Sequence, residues 1–159
     1  MTKQLESVVA VAAVALFLGA CGGGEDHGIE EELCTHLEAG TSSAVTASET
    51  SPPSISELHR RYEVSLPESG GQRAGNLSFV VDHGGEFVFG LSKNVPFELR
   101  DPSGSVVTSE AGHADTDACE ALAAVHTYEL AVGTYTVALG PTAESPVSIV
   151  IEHHEGEGH

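Results

Sequence analysis

Histidine is the residue type with the greatest chemical potential in this chain. Nine histidines are present, against six lysines and arginines together. Imidazole and carboxylate groups bind divalent transition metals such as Zn²⁺, Cu²⁺ and Ni²⁺. His153, His154 and His159 lie among glutamates and glycines at the C-terminus. We expect residues 153–159 to be a flexible tail, which either binds such a metal or is simply solvated.

A folded metal site is a second candidate. His36 falls on the apolar face of a predicted helix, His59 opens a predicted strand, and His126 shares a strand face with Tyr128 and Leu130. Three imidazoles are enough for an open Zn²⁺ or Cu²⁺ site. No two of the three are spaced at i, i+2 or i, i+4, so the spacing does not indicate that they meet. The alternative is three separate histidines that cap strands or hydrogen-bond to loops.

Catalytic motifs do not occur in the sequence. It contains no Gly-x-Ser-x-Gly, no His-Glu-x-x-His and no phosphate-binding glycine loop. His113, Asp115 and Asp117 alternate as the ligands of calcium loops do, but the glycine and later glutamate of an EF-hand are missing. We therefore expect a polar, solvated loop at residues 110–118, and a non-enzymatic protein with no catalytic residues.

A short helix is predicted from His27 onwards. Asp26 can cap it, glutamates lie in its first turns, and Gly40 is typical of a helix end. Its apolar face is formed by residues at helical spacing, namely Ile29, Leu33, His36 and Leu37. His36 should therefore point towards the body of the protein. The Ser-, Thr- and Pro-rich residues 40–57 are expected to run over the surface, with at most a short edge strand at Val45.

The remainder of the chain alternates apolar and polar residues with a period of two. Turn signals such as Asp82-His83-Gly84-Gly85 and Asp101-Pro102-Ser103-Gly104 separate the apolar runs. The pattern predicts seven to eight short strands with turns every 8 to 12 residues, as in an antiparallel, jelly-roll-like β-sandwich. We predict one such all-β domain over residues 27–152.

One hairpin in the second half supports this fold class. The sequence of residues 128–137, YELAVGTYTV, resembles the strand pair of bacterial prepeptidase-type C-terminal domains. Those are secreted β-sandwich modules that accompany a catalytic domain. The resemblance covers about ten residues, and it implies a sandwich rather than a function.

Two cysteines are available for a cross-link. Cys34 lies in the predicted helix, and Cys119 lies in a polar segment before a strand. In an oxidising compartment a disulfide is the expected outcome. The alternative is a pair of thiolate metal ligands, although neither cysteine belongs to a Cys-x-x-Cys pair.

The remaining cysteine, Cys21, follows a predicted export signal. Lys3 precedes the apolar run 8–18, which at 11 residues is shorter than the roughly 20 needed to span a bilayer. The run ends at Leu18-Gly19-Ala20-Cys21, which resembles the lipobox of bacterial lipoproteins. That resemblance implies removal of residues 1–20, acylation of Cys21 and a short tether at 21–26. It also implies a membrane anchor in the bacterial cell envelope, and Gly22 in place of Asp favours the outer membrane.

The charge of the chain limits its partners. The formal net charge is −18, which argues against nucleic acid and anionic lipid surfaces and is compatible with cations. We therefore expect a membrane-anchored, non-enzymatic lipoprotein that binds a divalent transition metal. The alternative is a structural or protein-interaction sandwich whose histidines are incidental.

Overall fold

A computed structural model describes residues 26–114 and 116–154 of the chain. One helix, α1 (Asp26–Ala39), precedes ten strands. The strands, in chain order, are β1 (Ser42–Thr46), β2 (Arg61–Ser65), β3 (Glu68–Ser69), β4 (Gln72–Val81), β5 (Gly85–Leu91), β6 (Phe97–Arg100), β7 (Ala111–Ala114), β8 (Ala124–Leu130), β9 (Gly133–Thr142) and β10 (Val147–His154).

The strands form two sheets, which confirms the predicted β-sandwich. The larger sheet has the strand order β1-β2-β10-β5-β8-β7, and the smaller one has the order β3-β4-β9-β6. The strand pairs of both sheets are antiparallel except for β1 and β2, which are parallel. The two sheets hold more strands than the seven to eight expected, because short edge strands carry little of the alternation that reveals longer ones.

The main core lies between the two sheets. Phe79, Phe87, Phe89 and Tyr128 are each less than 5 % exposed there. Phe79 meets the other two phenylalanines edge to face, with ring centroids 5.3 Å apart. This arrangement adds a specific geometry to the hydrophobic burial, as aromatic pairs commonly do. The inner faces of the sheets are therefore the dry, apolar part of the molecule.

The helix covers the outer face of the larger sheet. Leu33 and Leu37 of α1 are buried against a second apolar cluster. The sheet and the segment before β8 contribute the rest of it, namely Val88, Leu122, Val125 and Val150. Gly90 permits this close packing, since a Cβ atom there would lie 2.9 Å from the Leu33 side chain. The apolar helix face, including the inward direction of His36, is as the spacing predicts.

A disulfide fastens this helix, as predicted. Cys34 and Cys119 are bonded across 85 residues of sequence, with Cα atoms 6.1 Å apart. Closing a loop of that length removes entropy from the unfolded chain, on the order of 4 kcal/mol in the chain-entropy account. The helix is thus joined covalently to the segment that leads into β8.

Three segments differ from their sequence-based expectations. The short edge strand considered at Val45 is present as β1, but Ile55, in the segment expected to run over the surface, is completely buried, with its N–H donating to the Ser78 carbonyl. Residues 111–114, expected as loop, form the edge strand β7 because its backbone pairs with β8 although its residues are all exposed. His153 and His154 belong to β10 rather than to a flexible tail.

The segment that would direct export lies outside the described residues. The lipobox Leu18-Gly19-Ala20-Cys21 and most of the tether at 21–26 are therefore not described. His159, at the other end of the chain, also lies outside the described residues. No helix within residues 26–154, as far as they are described, is long and apolar enough to cross a bilayer.

Candidate metal centre

The centre of the candidate site is a buried carboxylate on the outer face of the larger sheet. Glu152 lies on β10, opposite Val88 of β5, and is 1 % exposed. Side chains alternate between the faces of a strand, so Glu152 shares the outer face with Val150 of the helix-packing cluster. A glutamate is rarely buried to this extent without partners.

The strand register brings the first histidine to this carboxylate. Ile149 of β10 pairs with Tyr62 of β2, and the same register continued beyond the end of β2 places residue 59 beside residue 152. The His59 N–H donates to the Ile151 carbonyl over 3.1 Å, which holds the segment against β10. His59 Nδ1 directly contacts Glu152 Oε2.

The backbone at His59 is in an unusual conformation. Its φ angle is +58°, in the left-handed region that non-glycine residues seldom occupy. Histidine tolerates this region better than most residues, and unusual backbone angles concentrate at functional sites. The conformation turns the chain from the preceding loop into β2 directly beside the cluster.

The helix supplies the other two side chains. Glu32 and His36 are separated by one turn of α1 and therefore lie on the same flank of the helix. His36 Nε2 is 3.7 Å from Glu152 Oε1, and its ring centroid is 5.3 Å from that of His59. The four residues each offer one ligand atom, and these four atoms all lie within 4.8 Å of one another.

This arrangement suits a divalent transition metal. Nitrogen and oxygen ligands bind Zn²⁺ at about 2.0–2.2 Å, which places neighbouring ligand atoms roughly 3–3.5 Å apart. Small side-chain rotations would bring the cluster, whose ligand atoms lie within 4.8 Å of one another, to that geometry. Two ionised carboxylates would also cancel the charge of a divalent ion. Imidazole and carboxylate together fit Zn²⁺, Cu²⁺ or Ni²⁺.

The electrostatics of Glu152 point in the same direction. The pKa of this carboxyl is raised to about 7, chiefly by burial; the charge and close contact of His59 lower the pKa, and the charge of Glu32 raises it. Both carboxylate oxygens are buried without a partner of good hydrogen-bond geometry. A bound cation would satisfy them and offset the cost of burying the charge.

His126 is not part of this cluster. It lies on the inner face of the larger sheet, where its ring stacks on Phe97 at a centroid distance of 4.6 Å. Burial lowers the pKa of its imidazole, and the charge of His113 lowers it further. His126 and His113 instead line a surface cavity of about 420 Å³ beside β7. The structure therefore brings His36 and His59 together and places His126 apart from them, on the other face of the sheet.

The C-terminal histidines also occupy separate places. His153 points to the inner face and stacks on Phe87, with ring centroids 4.5 Å apart. His154 points outwards, 3.8 Å from Glu86. His113, from the segment considered as a calcium loop, pairs with Glu30 of the helix over 2.8 Å.

Two members of the cluster were missed from the sequence. Glu32 was assigned only to the negative charge at the helix start, although its i, i+4 spacing from His36 is a signal for a shared face. Glu152 is the last residue of the predicted β domain and was not considered as a ligand, and only the pairing of β10 with β2 shows that it is buried beside His59. Comparison with known proteins adds no assignment: no protein family and no curated protein matches this sequence.

Proposed function

We propose that this chain is a non-enzymatic envelope lipoprotein that binds one divalent transition metal ion between α1 and the larger sheet. The ligands are His36, His59, Glu152 and, on the rim, Glu32. The observation that carries the proposal is the convergence of two imidazoles on a 1 % exposed carboxylate that has no other good partner.

The exposure of the ligands favours an exchangeable ion over a sealed structural one. The Glu152 side chain is 1 % exposed, whereas the His59 side chain is 54 % exposed. Glu32 is exposed as well. An ion would therefore enter and leave from the solvent side. A buffer or carrier of metal ions needs such access, and the net charge of −18 attracts cations towards the surface.

The anchor is the second part of the proposal. The likeness of Leu18-Gly19-Ala20-Cys21 to a lipobox supports acylation at Cys21, and α1 begins only five residues later, at Asp26. The metal site would then lie close to the membrane surface, most simply that of the outer membrane. Incorporation of labelled palmitate that is lost on Cys21→Ala would support this part, and unlabelled wild-type protein would contradict it.

Zinc affinity of the full chain, purified in detergent, tests the metal site. A chromophoric chelator competes for Zn²⁺ with the wild type, with Glu152→Gln and with His83→Ala. Glu152→Gln keeps the shape of the side chain but removes its charge. His83 is the matched control, because it is an exposed histidine in the turn between β4 and β5.

We expect one tightly bound ion in the wild type and in His83→Ala, and an affinity about 100-fold lower in Glu152→Gln. Loss of only a weak binding phase on truncation after His154 would assign that phase to residues 155–159. Equal affinity of all three full-length proteins would refute the folded site. The interaction-module alternative would then become the better account.

A further inference from the structure

We propose that α1 couples metal binding to the redox state of the Cys34–Cys119 disulfide. The metal is held tightly while the disulfide is intact and weakly after its reduction, and the bound metal in turn resists reduction. This inference rests on the proposed function, because it describes how the same metal site is regulated.

The helix is fastened to the sheet along two opposite flanks. Glu32 and His36 approach β10 and the start of β2 through Glu152 and His59. At 3.6 residues per turn, position 34 lies about half a turn away from positions 32 and 36. The metal ligands and the cysteine of α1 therefore occupy different sides of one short helix.

The cysteine flank faces the other half of the sheet. Cys34 bonds to Cys119, in the segment before β8, and Glu30 pairs with His113 on β7. Between the flanks, Leu33 and Leu37 of α1 pack on four buried residues of the sheet and of the segment before β8, in a cluster of seven that also includes Cys34. The disulfide is thus a main restraint on the position from which α1 offers half of the metal ligands.

This arrangement makes the two events reciprocal. A metal that needs ligands from both α1 and the sheet binds only the docked helix, so it favours the docked state. The disulfide favours the same state by restricting how far α1 can move. If breaking the disulfide lowers metal affinity by some factor, saturating metal must lower the equilibrium constant for reduction by the same factor.

The redox step is an ordinary thiol–disulfide exchange. Two thiols of a small-molecule or protein reductant give up two electrons and two protons and join in a disulfide. The S–S bond breaks, and one thiol forms on Cys34 and one on Cys119. A tenfold change in the equilibrium constant corresponds to about 30 mV for this two-electron couple.

The first test compares metal affinity with and without the disulfide in the full chain. Wild-type protein is reduced with a phosphine, which is oxidised to its oxide with oxygen from water, and both thiols are blocked with iodoacetamide. The reagents are removed before titration with Zn²⁺, so neither reagent nor free thiol competes for the ion. Cys34→Ala/Cys119→Ala serves as a second form without the disulfide, and circular dichroism monitors the sheet.

We expect both forms to bind Zn²⁺ at least tenfold more weakly than the oxidised wild type while the β-sheet spectrum is retained. The reciprocal test uses unmodified protein in a glutathione buffer that is returned to the same ratio of free glutathione to its disulfide after Zn²⁺ is added, because glutathione also binds the ion. Saturating Zn²⁺ should shift the ratio of disulfide to thiol at least tenfold towards disulfide in the wild type, and not in His36→Ala.

The outcomes separate the two proposals. The coupling would be overturned, and the metal site retained, if zinc binding stays tight without the disulfide and the ratio of disulfide to thiol does not change when zinc is added. No zinc binding by the oxidised wild type would refute the metal site and the coupling together. If the altered proteins unfold, the redox ratio of the wild type decides alone.

Discussion

The two faces of the larger sheet use the same residue types in different ways. Glu152 and His153 are neighbours in the sequence, yet they point to opposite faces of β10. On the inner face, His153 and His126 stack on phenylalanine rings and contribute to the packing of aromatic side chains. On the outer face, His36 and His59 meet a buried carboxylate. The role of each of these histidines therefore depends on which face of the larger sheet it lies on.

The two faces also differ in how they are stabilised. The inner face buries a continuous set of large apolar side chains from both sheets. The outer face has a small apolar cluster under one helix, supplemented by a disulfide and by polar contacts at the helix flanks. The inner layer therefore contains most of the core, whereas the outer layer holds one disulfide-linked helix that carries two of the proposed metal ligands.

The largest expected effect is a difference in the free energy of unfolding between variants of the inner layer and of the outer layer. Phe89→Ala should lower the free energy of unfolding by about 3–5 kcal/mol, because it leaves a cavity among aromatic rings. Leu33→Ala should cost about 2–3 kcal/mol, because the helix can partly adjust. Urea denaturation measures both. Equal losses would show that the outer layer belongs to the same cooperative core as the inner one.

A second comparison concerns the histidines of the two faces. His36→Ala and His59→Asn should each weaken Zn²⁺ binding about 100-fold, whereas His126→Ala and His153→Ala should change it less than about threefold. Asparagine at position 59 tolerates the left-handed backbone, so the loss reports the missing imidazole. Competition titration of the four variants measures this, and a large effect at His126 would restore the three-histidine site.

The buried carboxylate should give the metal-free protein an unusual pH dependence. The pKa of Glu152 in the folded protein is raised to about 7 from the 4.5 of an ordinary glutamate. The carboxyl therefore contributes fully to stability below pH 4.5, and this contribution is lost as the pH rises towards and through 7. In EDTA, Glu152→Gln should therefore be more stable than the wild type at pH 8, by on the order of 1–3 kcal/mol, and similar at pH 4.5.

Added Zn²⁺ should reverse this order at pH 8, because the ion binds the protein that retains the carboxylate more tightly and therefore stabilises it more. Urea midpoints with EDTA and with Zn²⁺ provide the measurement. If Glu152→Gln is less stable than the wild type in EDTA at pH 8, the carboxylate is adequately satisfied without a metal, contrary to the account.

The smallest expected effects come from two glycines near the helix. Gly90→Ala places a methyl group 2.9 Å from the Leu33 side chain, so it should destabilise the helix layer by about 1 kcal/mol. Gly28→Ala meets no atom within 4 Å and should stabilise α1 by about 0.5 kcal/mol. Hydrogen exchange of the α1 amides should slow in Gly28→Ala and quicken in Gly90→Ala. The same sign in both would mean that packing under Leu33 is loose.

Local patterns in the sequence were sufficient for much of the fold. The helix, its end at Gly40 and the direction of His36 follow from spacing and composition. The Cys34–Cys119 bond follows from the expectation of an oxidising compartment. Strand β7 escaped prediction because residues 111–114 are exposed and show no apolar alternation. Its existence depends on backbone pairing with β8, which is not encoded in side-chain periodicity.

The candidate site needed information that no local pattern contains. His59 and Glu152 are brought together by the pairing of β2 with β10, two strands that are far apart in the sequence. His126 was assigned to the correct face of its strand, but strand alternation does not say which layer lies across that face. The larger sheet lies between α1 and Phe97. His36 is therefore on one side of this sheet, and His126 is on the other.

Anomalous diffraction from crystals of the zinc-loaded protein tests the central claim most directly. The account predicts a strong peak on the outer face of the larger sheet, about 2.0–2.2 Å from a nitrogen of His36, a nitrogen of His59 and an oxygen of Glu152. A zinc peak confined to His154 or to the C-terminal residues, with none beside Glu152, would contradict it.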